Sequence, residues 1–152
     1  MTKRLSAWIE GSPFSEYRRS CVSTEGDVNL WVVERRGTQT MEPIYHDEGY
    51  LEKYFEAQEK WKSRPRDIPD EDEAMVQAIA IAQDIVTMLG ESLAACVILE
   101  CEREYWQTRN LAAQVQKNRQ DRLGMGWAKH DHHTFRSSRR HFTPLVRLFA
   151  IL

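Results

Sequence analysis

Apolar and polar positions alternate along this chain with several different periods, and each period predicts an element. Between Asp27 and Gly37, Val28, Leu30, Trp31, Val32 and Val33 precede Glu34, Arg35, Arg36 and Gly37, which reads as a short strand closed by a turn. The rest of the first 45 residues has no period, and Gly11, Pro13, Gly26, Gly37 and Pro43 interrupt it too often for a long helix. An irregular arm with one strand is expected there. From Tyr50 the spacing changes to Leu51, Tyr54/Phe55, Gln58 and Trp61 with charged residues between, a helix with one aromatic face. The run Arg64-Pro65-Arg66-Asp67-Ile68-Pro69 ends it, because each proline disfavours helical geometry at the residue before it.

Asp70 opens the clearest helix start, with Glu71, Asp72 and Glu73 set against unpaired backbone N–H groups. Met75, Ile79, Ala82, Val86 and Leu89 form a narrow apolar seam that Gly90 closes. A third helix is expected from Ser92 to Leu123, with Leu93, Val97, Cys101, Tyr105, Ala112, Val115, Arg119 and Leu123 near one stripe. Its roughly 30 residues would reach about 45 Å, long for a chain of 152 residues, and its polar second half implies that it protrudes, breaks or meets a partner. Phe142, Leu145, Val146, Leu148, Phe149 and Leu152 predict a last amphipathic helix with Thr143 and Pro144 in its first turn.

The fold class is therefore predominantly α, three to four helices with a few short strands, an α+β chain. One domain is expected, in three parts: the arm over 1–45, a helical core over 46–124, and a histidine-rich strand with the final helix over 125–152. That helix has no cap at Leu152, so it either closes the core or stops inside a larger fold. Composition adds exclusions. With 41% hydrophobic residues, 7 Gly and 3 Cys, the chain is not disordered, collagen-like or a disulfide scaffold. Glu10 closes the first apolar run before a signal sequence could form, and the stretch from Ala74 to Leu89 is too short and polar to span a bilayer. Cys21, Cys96 and Cys101 are odd in number and lack C-x-x-C spacing, which points to a reducing cytoplasm and, for Cys96 and Cys101, to core packing.

The net charge of −2 conceals an imbalance. Through Glu102 there are 11 Lys and Arg against 20 Asp and Glu, a balance of −9; beyond it, 10 against 3, a balance of +7. Two docking halves explain this more simply than a nucleic-acid surface, since the acidic counterpart lies in the same chain.

Four of the five histidines fall between 130 and 141. A strand over 130–136 would place His130, His132 and Thr134 on one face and Asp131, His133 and Phe135 on the other, so that imidazoles converge on a divalent ion. His130, His132 and His133 are the candidate ligands, with Asp131, Glu100 or Glu104 as possible carboxylates, for Fe(II), Mn(II) or Zn(II). Downstream, hydroxyls at Thr134, Ser137 and Ser138 lie among Arg136, Arg139 and Arg140, a set that matches phosphate or carboxylate oxygens. Arg136 and Arg139 are the candidate anion-binding residues. The plain alternative is a capped turn, with Ser137 or Ser138 opening the last helix.

The run Asp131-His132-His133-Thr134-Phe135-Arg136-Ser137, followed by Arg140-His141-Phe142 and Leu145-Val146-Arg147-Leu148-Phe149, resembles the first strand and helix of vicinal oxygen chelate modules, the glyoxalase and ring-cleaving dioxygenase kind. The resemblance covers about 20 residues. It implies that His132 or His133 ligates a divalent metal, often Fe(II), and that three further strands would have to bring the other ligands. None follows Leu152, so the resemblance implies a truncated relative or a site completed by association.

Three readings of function follow. The first is a divalent-metal-binding piece of a metal-dependent oxygenase or lyase, with Arg136 or Arg139 pairing with a small anionic substrate. The second is a basic nucleic-acid or anion-binding module that uses Arg109, Lys117, Arg119, Arg122, Arg136, Arg139 and Arg140, with Trp106 or Trp127 for stacking. The third is a helical interaction domain without chemistry, its final helix forming a homo-oligomer. No phosphate loop, nucleophile elbow or His-Glu-x-x-His motif selects an enzyme class.

Overall fold

The computed structural model describes residues 8–124 and 135–152. Strands β1 (Ile9–Glu10), β2 (Tyr17–Glu25) and β3 (Val28–Arg35) precede helices α1 (Tyr50–Lys62), α2 (Glu71–Leu89), α3 (Glu91–Arg109), α4 (Leu111–Arg122) and α5 (Phe142–Ile151). The α+β, predominantly helical class follows directly.

The N-terminal arm is more regular than its sequence suggests. Its strands form one antiparallel sheet in the order β1-β2-β3. β2, Tyr-Arg-Arg-Ser-Cys-Val-Ser-Thr-Glu, carries polar side chains on both faces, so it shows no apolar alternation. Cross-strand charge holds it instead. Glu10 lies opposite Arg19 and pairs with it at 2.8 Å, while Glu34 lies opposite Arg18 and pairs with its guanidinium. A bulge at Cys21/Ser23 interrupts the β2–β3 register.

The helices follow the predicted punctuation. Asp70 caps α2, its carboxylate accepting from the N–H groups of Asp72 and Glu73. The long helix expected over 92–123 is two helices. Asn110 adopts an extended conformation, φ −124° and ψ 110°, and its side chain accepts from the Ala113 N–H at 3.1 Å, which starts α4 anew. The anticipated strand over 130–136 falls largely on residues 130–134, outside the described part; Phe135 and Arg136 belong to no strand.

Buried apolar side chains from α1 (Tyr54, Ala57, Trp61), α2 (Ala82, Ile85, Leu89) and α3 (Leu93, Ala94, Val97, Ile98, Cys101) make one core. The aromatic face of α1 thus points in with Tyr54 and Trp61, and Phe55 remains exposed. Leu148 of α5 and Leu152 just after it pack against the core, and α5 lies along α2. Burial pushes the Cys101 thiol up to about 11, consistent with a packing role. The sheet joins the helices through Phe14, stacked on Tyr54 at a centroid distance of 4.8 Å, and through Arg36, which donates to the Tyr54 hydroxyl at 3.0 Å. At Gly37 a side chain has no room, since a Cβ would lie 2.7 Å from the Ser92 carbonyl oxygen. No helix among the described residues is long and apolar enough to cross a membrane.

Candidate functional site

The connection between α1 and α2, the first turns of α2, the second half of α3 and the segment leading into α5 enclose an open groove of about 560 Å³. Prolines determine its first wall. Pro65 and Pro69 hold 64–69 out of helical geometry, so the chain passes across α3 and delivers Arg64 and Arg66 to Glu102. Glu102 accepts from Arg66 at 2.6 Å, from Arg64, and from the Trp61 indole N–H at 2.9 Å. Burial pushes the Glu102 carboxyl up, but the hydrogen bonds and charges of Arg66 and Arg64 outweigh it and hold the group below the usual carboxylate range. The Tyr105 ring carries two guanidiniums, Arg66 at 3.5 Å and Arg109 at 3.6 Å. Ile68, Ala74, Met75, Ala78 and Leu145 give the groove an apolar lining, and Trp106, 61% exposed, stands at its side.

The opposite wall is Arg136, Ser137, Ser138 and His141. His141 is buried between two elements. Its Nε2 lies 3.0 Å from Asp72 Oδ1 and its Nδ1 2.8 Å from Ser138 Oγ. Arg140 also pairs with Asp72, and its hydrogen bond, reinforced by His141, outweighs desolvation and holds that carboxyl below its ordinary value. Arg140 and His141 from the basic part of the chain meet Asp72 in the acidic start of α2 here, while Lys62 with Glu104, at 2.8 Å, joins the two parts with the charges the other way round. The order Ser138–His141–Asp72 has the connectivity of a nucleophile relay, yet Ser138 Oγ also accepts the His141 backbone N–H at 3.3 Å. The hydroxyl closes the turn over 138–141 ahead of α5, whose N-cap is His141 itself, so the cluster fastens the start of α5 to α2.

Of the residues expected to bind an anion, Arg136 lies on the groove and Arg139 does not line it. Arg136 is exposed and has no ion-pair partner among the described residues. His130, His132 and His133 lie outside the described residues. Among those described, no group of three or more His, Cys, Asp or Glu is placed to hold a metal ion. The proposed carboxylates are engaged elsewhere, Glu100 with Arg36 at 3.4 Å and Glu104 with Lys62. Sequence reasoning missed Arg64, Arg66 and Glu102, because Arg64-Pro65-Arg66 reads first as a helix breaker; the signal was two arginines in a proline-fixed loop. Comparison with protein-family models, curated proteins and solved structures finds no match for this chain.

Proposed function

We propose that the groove is a binding site for a small organic anion with an apolar body, and that the domain acts as a binding module. The observation that carries this reading is the position of Arg136, an exposed guanidinium without an ion-pair partner among the described residues, beside the Ser137 and Ser138 hydroxyls on the rim of an apolar groove. A carboxylate or phosphate suits that rim, since a guanidinium fork matches anionic oxygens; the two hydroxyls are engaged locally, Ser137 with the Ser138 carbonyl and Ser138 with His141. The apolar lining and the exposed face of Trp106 suit the body of such a ligand. Arg64 and Arg66 share the single carboxylate of Glu102, so they shape the wall and leave one positive charge in excess that raises the local potential.

Calorimetric titration with phenyl phosphate and with phenylacetate tests this. Saturable binding is expected, and Arg136→Ala should weaken it about tenfold or more, the loss of one charge-assisted hydrogen bond. Absence of binding at millimolar ligand, or binding that Arg136→Ala leaves unchanged, overturns the reading.

A divalent ion held by His130, His132 and His133 is a second reading, favoured by His133 standing three residues before Arg136, which is on the groove. It is separable from the first. Metal analysis of untagged protein after addition of Fe(II), Mn(II) or Zn(II) should give near-stoichiometric metal that the triple alanine variant loses; a content near zero overturns it.

A further inference from the structure

β3 is the outer strand of its sheet, and among the described residues only β2 packs along it. Its side chains are apolar and largely in solvent: Val28 is 72% exposed, Leu30 62%, Val32 60% and Val33 46%. Edge strands that stay single are usually blunted by proline, lysine, a bulge or a covering element. From Val28 to Val33 there is none of these, and the one bulge lies on β2, the other side of the pair. The strand is bracketed by opposite charges, Asp27 before it and Arg35 at its end, both exposed and without an ion-pair partner among the described residues.

We infer that the β3 edge is an interaction surface for a second copy of this chain, joined antiparallel about a twofold axis at Trp31. Symmetry restricts the register. A twofold axis perpendicular to the sheet keeps each residue on its own face, so residues pair with partners of the same parity. Centred on Trp31, the ladder sets Leu30 opposite Val32, Asn29 opposite Val33, Val28 opposite Glu34 and Asp27 opposite Arg35. Each contact occurs twice. The unpaired backbone groups of the whole edge find partners, and both flanking charges are compensated. Moving the axis to Leu30 or Asn29 carries Arg35 past the turn that precedes β3, and moving it to Val32 or Val33 leaves Asp27 beyond the end of the strand; in every case the charges lose each other. Charge complementarity within one strand thus selects a single self-pairing, the device by which cross-strand pairs choose register.

Sedimentation equilibrium of the 152-residue chain, from low micromolar to a few hundred micromolar, is the test. A reversible dimer is expected. Asp27→Arg and Arg35→Asp each oppose like charges twice, so each variant alone should associate at least about tenfold more weakly. Mixed in equal amounts they should associate with each other, because the contact between position 27 of the first variant and position 35 of the second again joins a guanidinium to a carboxylate. Both positions are exposed, so the variants should keep the wild-type circular dichroism. Val32→Lys, which sets an ammonium at the seam, should be monomeric too. A strictly monomeric wild type overturns the inference, as does a dimer that survives these substitutions but dissolves in Val146→Asp on α5.

Discussion

The helical core and the β2–β3 hairpin use opposite means to hold their shape. In the core, α1, α2 and α3 contribute apolar side chains that are almost wholly withdrawn from water, with Trp61 2% exposed and Leu93, Val97 and Ile85 at 0%. The hairpin has only Tyr17 buried, and its order comes from backbone pairing and the ion pairs of Arg18 and Arg19. Exposed ion pairs contribute little, typically below about 1 kcal/mol each. One region is self-sufficient, and the other shows apolar surface that a partner would cover.

The largest contrast should appear on truncating a side chain in each. Trp61→Ala removes a buried ring and leaves Glu102 short of a donor, so chemical denaturation should record a loss of about 3–5 kcal/mol. Leu30→Ser on β3 should change monomer stability by no more than about 0.5 kcal/mol. Equal losses at the two sites would remove the distinction.

A smaller effect is expected at Glu102, where charge supports the core. Glu102→Gln keeps the shape but leaves Arg64 and Arg66 without their anion, costing about 2 kcal/mol at neutral pH. The folded carboxyl titrates below its ordinary value of 4.5, so its contribution is present above that value and is lost as pH falls through the folded one. The gap between wild type and Glu102→Gln in thermal scans should therefore close on acidification. A gap independent of pH would assign the loss to packing.

The smallest effect concerns the start of α5. Ser138→Ala removes the hydroxyl partner of the His141 ring, while the Ser138 carbonyl still accepts the His141 N–H at 3.2 Å, and should cost about 1 kcal/mol, seen as faster amide exchange in α5 than in α1.

These differences also explain what was readable in advance. The helix starts and stops were legible because Asp70, Gly90 and the Pro65–Pro69 pair act locally, on their own backbone. β2 was not, because a strand polar on both faces is defined by its partner and has no period of its own. The break at Asn110 was hidden by a stripe that continues across it; only the cap on Ala113 reveals the change of direction. At the groove, Arg136 could be chosen from its neighbours in sequence. Arg66 and Glu102 meet across 36 positions, and no local rule joins residues at that separation.

The close approach at Gly37 bears on how the molecule comes apart. Among the described residues the joints between sheet and helices gather at two places: Phe14, which packs on Tyr54 and Phe55 and accepts from the Tyr50 hydroxyl, and Arg36–Gly37, where the arginine reaches Tyr54 and Glu100 and the glycine abuts the Ser92 carbonyl. A region fastened at so few points can open as a separate cooperative unit while the helices stay closed. Gly37 is then a latch between two tiers of unfolding, and a methyl group placed on it would release the upper tier first.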